Sequence, residues 1–192
     1  MLNNGLFTSS FAEWSTPRDE DEIEKVFAEY NPAIDICAWD WTAKLPVWIT
    51  PFEDALSLNW RDVCIAAEAD SFAVFSNPPY GRELPVWIAK YAKEQKNGIT
   101  TIALIPARTD TSYWHKYIWD KEAERPRKNV RVRFLSGRYK FGEVRPDLES
   151  FDPRFSPFID SDFLKEGASR KMTSAPFPSA IVIFEAEGQA SK

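Results

Sequence analysis

Two consecutive prolines directly follow an apolar run in this chain, Phe72-Ala73-Val74-Phe75-Ser76-Asn77-Pro78-Pro79-Tyr80-Gly81. Proline has no amide hydrogen and a fixed φ, so a strand over Phe72–Ser76 cannot extend its ladder beyond Asn77. The chain must leave the sheet there, which presents the turn at the carboxyl end of a strand. Around this point strand and helix patterns alternate. Thr16-Pro17 open a helix whose face is Ile23, Val26, Phe27 and Tyr30, and a short strand follows at Ala33–Cys37. Leu84, Trp87, Ile88 and Tyr91 recur at helical spacing after Pro85, and Gly98 closes that helix. Ile99–Ile105 is the next strand, Asp110–Trp119 a helix carrying Tyr113, Trp114, Tyr117 and Ile118, and Val130–Leu135 and Ser179–Phe184 are further strands. Strands alternating with helices predict an α/β domain with a mostly parallel sheet. Residues 38–60, with Trp39, Trp41, Trp48 and Trp60 among prolines and threonines, read as ordered loop. Residues 143–174 sustain no period and read as a long surface insertion.

A chain of 192 residues, 44% of them hydrophobic, supports one domain with a real core. Its longest apolar stretch, Ile99–Ala107, falls well short of the roughly 18 residues that cross a bilayer. Met1-Leu2-Asn3-Asn4-Gly5 does not open a secretory signal, so a cytoplasmic protein without a membrane is expected. Cys37, Cys64 and His115 are the only residues of their types, which leaves no ligand set for a structural zinc and excludes a zinc-type deaminase. The formal net charge of −5 is unevenly spread. Residues 1–70 carry 14 acids and 4 bases, whereas 121–145 carry 9 bases and 3 acids. That basic segment is either a phosphate-binding surface or a solvated face.

The turn after Ser76 carries the chemistry. An exocyclic amine on a nucleobase is a poor nucleophile because its lone pair is delocalised into the ring. Two acceptors for its two N–H groups return that density to nitrogen. The side-chain oxygen of Asn77 and the carbonyl of Pro78 are such acceptors, with Pro78 and Pro79 holding the carbonyl in a fixed direction. Tyr80 offers a flat face on which a base withdrawn from a duplex can stack.

Asn77-Pro78-Pro79-Tyr80 resembles the signature of the amino-group DNA methyltransferases, and the chain is similar to the small phage-type DNA N6-adenine methyltransferase family (Dam-like). The resemblance runs from Trp14 to Phe184 through Thr16-Pro17, Asp35-Ile36-Cys37-Ala38, Asp54-Ala55-Leu56, Ala107-Arg108-Thr109-Asp110-Thr111, Gly137-Arg138 with Lys140-Phe141, and Phe177-Pro178-Ser179-Ala180. It implies a single Rossmann-like methyltransferase domain over 14–184, with tails at 1–13 and 185–192. The methyl donor implied is S-adenosylmethionine and the partner is DNA, with no metal and no obligate protein partner. Asp35 is implied to hold the methionine end of the donor, with Thr16, Pro17 and Ser76 on the donor side. Asp54 is either a donor contact or a loop cap. Arg108 and Thr109 sit where a strand ends, and Arg108 either neutralises a phosphate or pairs with Asp110 to fix the turn. Arg138 and Lys140 are expected on the DNA backbone. A phage origin, a host-cytoplasm location and self-protection from restriction follow from the resemblance alone. The chain departs from most methyltransferases in having no Gly-x-Gly run after its first strand.

The motif by itself fits N4 of cytosine as well as N6 of adenine, and it activates other planar amines in RNA or protein glutamine. An idle DNA- or donor-binding protein is the reading from another class. The 143–174 segment, with Phe151, Phe155, Phe158 and Phe163 among acids, is either part of target recognition or a passive loop.

Overall fold

A computed structural model of the chain describes residues 21–39, 42–142 and 172–188. In chain order the elements are α1 (Asp21–Tyr30), β1 (Ile34–Asp35), β2 (Val47–Trp48), α2 (Trp60–Ala66), β3 (Ala73–Ser76), α3 (Leu84–Lys96) and β4 (Thr100–Pro106). A hairpin of β5 (Trp119–Asp120) and β6 (Arg125–Pro126) follows, then β7 (Val130–Phe134), β8 (Lys140–Gly142), β9 (Met172–Ser174) and β10 (Ser179–Phe184).

Six strands form one sheet in the order β2-β1-β3-β4-β10-β7. The pairs from β2 to β4 are parallel, and β10 runs antiparallel to both β4 and β7. The expected mostly parallel sheet is therefore present, with β10 its one reversed strand. β4 and β10 are covered on both faces, which explains why they read as nearly continuous buried runs without alternation. Ile181 and Ile183 of β10 join Phe75, Ile102 and Leu104 against Ile23 and Val26 of α1. Ala180, Val182 and Phe184 face the other way, toward Leu84, Ile88 and Tyr91 of α3 and toward Trp114. Helices thus pack on both sides of the sheet.

The structure departs from the sequence expectations where elements are short. Within 38–60 it has strand β2 and a 3-10 turn at Pro51–Glu53, and α2 begins at Trp60, capped by the Asn59 side chain on the amides of Arg61 and Asp62. Two residues of strand are too few to display a period of two, and one buried pair, Trp60 and Cys64, carries the inner face of α2. The helix expected over Asp110–Trp119 is shorter: its regular part is a wide π turn, Trp114–Ile118, that runs straight into β5. Its pattern of aromatic residues reflects real burial of Trp114 and Ile118, but not a sustained helix. Residues 172–174 of the expected insertion are β9, paired with β8, while 143–171 lie outside the described residues. The helix start at Thr16-Pro17 also lies outside them.

Gly98 follows α3 at φ 82°, a left-handed conformation, and a Cβ there would stand 3.0 Å from the Arg61 guanidinium. Beyond β10 the chain remains tied down: the Glu185 amide donates to the Asn129 carbonyl at 2.8 Å and the Glu187 amide to Gln95 at 3.0 Å. Phe184 is fully buried with its ring 5.7 Å from that of Tyr91. Phe184→Ala should therefore cost about 3–5 kcal/mol of unfolding free energy, measured by urea titration followed through tryptophan fluorescence.

Candidate active site

The order of the strands gives this sheet a topological switch point. From β1 the chain moves outward to β2, then returns to the other side of β1 for β3 and continues to β4. The carboxyl ends of β1 and β3 therefore flank a topological switch point, where open α/β sheets form their binding crevice. Asp35 ends β1, and Asn77 is the first residue after β3. The register Asp35↔Phe75 sets them on neighbouring strands.

Asp35 is 2% exposed. Its carboxylate accepts from the amide of Lys44 at 3.1 Å and that of Cys37 at 3.4 Å. Burial pushes the carboxyl up from 3.8 to about 6, opposed by those two amides and by the charge of Lys44. Ser76, one residue past Phe75, faces the opposite side of the sheet: it is fully buried and its hydroxyl lies 2.8 Å from that of Tyr91.

Tyr80 folds back onto the sheet. Its hydroxyl lies 2.5 Å from Asn77 Oδ1 and 3.1 Å from the Leu104 carbonyl. A phenol has one proton to give, and the shorter contact takes it. Burial drives the phenol well above its ordinary range, so it stays neutral and a donor. The bond fixes the amide of Asn77 with its oxygen, rather than its NH2 group, toward Tyr80. Pro78 is buried and Pro79 exposed, while a Cβ at Gly81 would meet nothing within 4 Å. The Tyr80 ring stands edge to face with Phe177 at 5.5 Å and with Phe141 at 6.0 Å.

Residues 7–149 match the family described as DNA N-6-adenine-methyltransferase (Dam). The chain belongs to the Dam family. No curated protein matches it. Membership in the Dam family implies methyl transfer to N6 of adenine in DNA. β9 and β10 lie beyond the matched residues, although β10 is an interior strand of the sheet, between β4 and β7.

The other expected site residues of this Dam-family chain that are described follow the carboxyl ends of strands on the same edge. Arg108, Thr109 and Asp110 follow the end of β4 and are exposed, and their turn is held by Thr111, whose amide and hydroxyl both donate to the Arg108 carbonyl, at 3.2 and 2.7 Å. Arg138 and Lys140 follow the carboxyl end of β7 and are exposed. Asp54 is exposed, in a left-handed conformation with φ 48°, after the turn that follows β2. Trp39, in the loop after β1, packs on Phe52 with ring centroids 5.5 Å apart, joining the loops after β1 and β2. Thr16 and Pro17 lie outside the described residues.

The basic segment does not form one surface. Arg131 and Arg133 bind Glu29, and Arg131 Nε also lies 2.7 Å from Glu185. Lys121, Arg125, Arg127 and Lys128 belong to the hairpin before β7, at the edge opposite the site, and Arg127 donates to the His115 carbonyl. Arg138 and Lys140 are the bases of this segment, among the described residues, that reach the Dam-family site's edge. Phe141 and Phe177 were not singled out from sequence as site residues. The signal was there, since both fall inside the motifs that carry the family resemblance, but nothing local tells a wall of a site from core. Among the described residues no three His, Cys, Asp or Glu side chains are grouped to hold a metal, and no helix is long and apolar enough to cross a membrane.

A raised carboxyl stabilises the fold in its protonated form. The contribution of Asp35 is fully present below 3.8 and is lost as pH rises through about 6, which amounts to about 3 kcal/mol. Asp35→Asn should remove this dependence, so that the stability of the variant relative to wild type rises by about 3 kcal/mol between about pH 3 and pH 7. Urea unfolding across that range checks it.

Proposed function

We propose that the chain transfers a methyl group from S-adenosylmethionine to N6 of an adenine turned out of DNA into the crevice beside Asn77 and Tyr80, on a Rossmann-like domain. The observation that carries the reading is the juxtaposition of a buried carboxylate, Asp35, with the Asn77–Tyr80 pair at one topological switch point. Asp35 suits the donor's ammonium: it is anionic at neutral pH, buried, and oriented by two backbone amides. The donor supplies an electrophilic methyl group on a sulfonium. Asp54 lies on the same donor half, after β2.

The chain's own residues then act on the amine. Asn77 Oδ1 accepts one amine hydrogen and the Pro78 carbonyl the other, which localises the lone pair on nitrogen and directs it at the methyl group. An amide oxygen carries two lone pairs, so the proton from Tyr80 and one from the base are compatible with it. Tyr80, braced by Phe141 and Phe177, provides the aromatic surface for the base. Once methylated, the amine is strongly acidic and loses its proton to water, which needs no histidine. Arg108, Thr109, Arg138 and Lys140 are the proposed backbone contacts, all at the carboxyl edge. N4 of cytosine shares the electronics of the target, and the family match favours adenine.

Incubation with labelled donor and DNA, RNA or protein extract, followed by identification of the methylated product, tests the reading. N6-methyladenine in DNA is expected, and label confined to RNA or protein overturns it. Asn77→Ala should lower turnover on the order of 100-fold while donor affinity stays within about twofold, as read from steady-state kinetics and calorimetry. Donor affinity should also fall as pH drops through about 6, where protonation of Asp35 removes the partner of the ammonium, and it should be about tenfold weaker in Asp35→Ala at pH 7. Calorimetric titration at several pH values measures both.

A further inference from the structure

Lys90 and Glu94 lie one turn apart on α3 with side chains only 7% and 1% exposed, and Lys90 Nζ stands 2.7 Å from Glu94 Oε1. Removing both charges from water is expensive, and such a pair at best breaks even against apolar side chains of the same size. Core stability alone does not account for it. The further partners of Lys90 do. Its Nζ also donates to the Leu58 carbonyl and lies 5.2 Å from the Trp60 ring centroid. Trp60 in turn donates from Nε1 to the Ala55 carbonyl at 2.7 Å and packs 5.9 Å from Tyr91. Two donors anchored in the packed layer thus grip two carbonyls three residues apart. The segment they grip is the continuation of Asp54, whose own carbonyl accepts the Ser57 amide and hydroxyl at 2.9 and 2.8 Å. It lies between a 3-10 turn and α2.

We infer that Lys90, oriented by Glu94, and Trp60 are positioning residues for the donor side of the site. They fix the backbone of 54–58 from beneath, so that the Asp54 carboxylate is presented before the donor arrives and less ordering is left for the binding step. The inference rests on the reading of Asp54 as a donor contact.

Two variants separate this role from general support of the core. Lys90→Met/Glu94→Gln keeps both stems and leaves no uncompensated buried charge. Trp60→Phe keeps the ring packing and removes only the donor to Ala55. Calorimetric affinity for S-adenosylmethionine should weaken by about tenfold in the first and about threefold in the second. Turnover at saturating donor and KM for DNA should stay within about twofold, and amide hydrogen exchange over 55–58 should quicken in both. Should the double variant fail to fold, Trp60→Phe alone decides. Unchanged donor affinity in a folded variant overturns the inference, and so does an equal fall in turnover and DNA affinity. A wild-type chain that does not bind the donor overturns the underlying reading of the site as well, whereas normal wild-type binding with unaltered variants overturns this inference alone.

Discussion

Two residues without an amide hydrogen end β3, and the neighbouring strand is left with a carbonyl to satisfy. The Leu104 carbonyl of β4 lies past the last paired residue of β3, Ser76, which pairs with Ala103. No backbone donor from Pro78 or Pro79 can reach it. The hydroxyl of Tyr80 stands there instead, at 3.1 Å, while its proton goes to Asn77. One side chain thereby occupies the place where the ladder would continue, orients the amide beside it and sets the angle of its own ring. The site consequently begins where the sheet's hydrogen-bond ladder stops. Replacing Pro78 by a residue with an amide would offer the Leu104 carbonyl a backbone donor in the place that the tyrosine hydroxyl holds.

Much of this was legible in the chain itself. β3, β4 and β10 announced themselves because strands buried on both faces need uninterrupted apolar residues, and α3 because Leu84, Ile88 and Tyr91 return to one face. The turn at Asn77 was legible for a different reason, since prolines leave few backbone alternatives. Among the short elements β1 was legible within Ala33–Cys37, whereas β2 was not: its two residues owe their strand to a partner elsewhere in the chain, and the π turn at Trp114 runs into a hairpin that no local pattern announces. Pairing across long sequence separations was equally hidden. Nothing near Lys90 announces that its ammonium is buried, and nothing near Phe177 announces that it meets Tyr80.

The bases that cluster between 121 and 145 in sequence do not cluster on one surface. A run of bases in sequence is cut into three by the direction of β7: a hairpin before it, ion pairs along it, and exposed bases after it. Ion pairs to Glu29 and Glu185 hold α1 and the end of β10 to the edge strand. The acids on the one side and bases on the other are therefore partly internal to the fold. Only the part beyond the carboxyl end of β7 shares the edge on which Asp35 and Asn77 lie.

The pairing of β8 with β9 sets a rule for how chains of this kind can diverge. Residue 142 and residue 172 face each other across the ribbon, so the chain leaves it and returns to it at one point. That ribbon touches the aromatic cluster through Phe141, beside Tyr80. Once such a closure exists, each doubling of the intervening length adds only about 0.6 kcal/mol of entropy. As far as closure entropy goes, a change of length between 142 and 172 that leaves β8 and β9 paired costs little, and the two ends stay at the same place beside that tyrosine. Length and point of attachment are thereby separate variables in a chain of this kind.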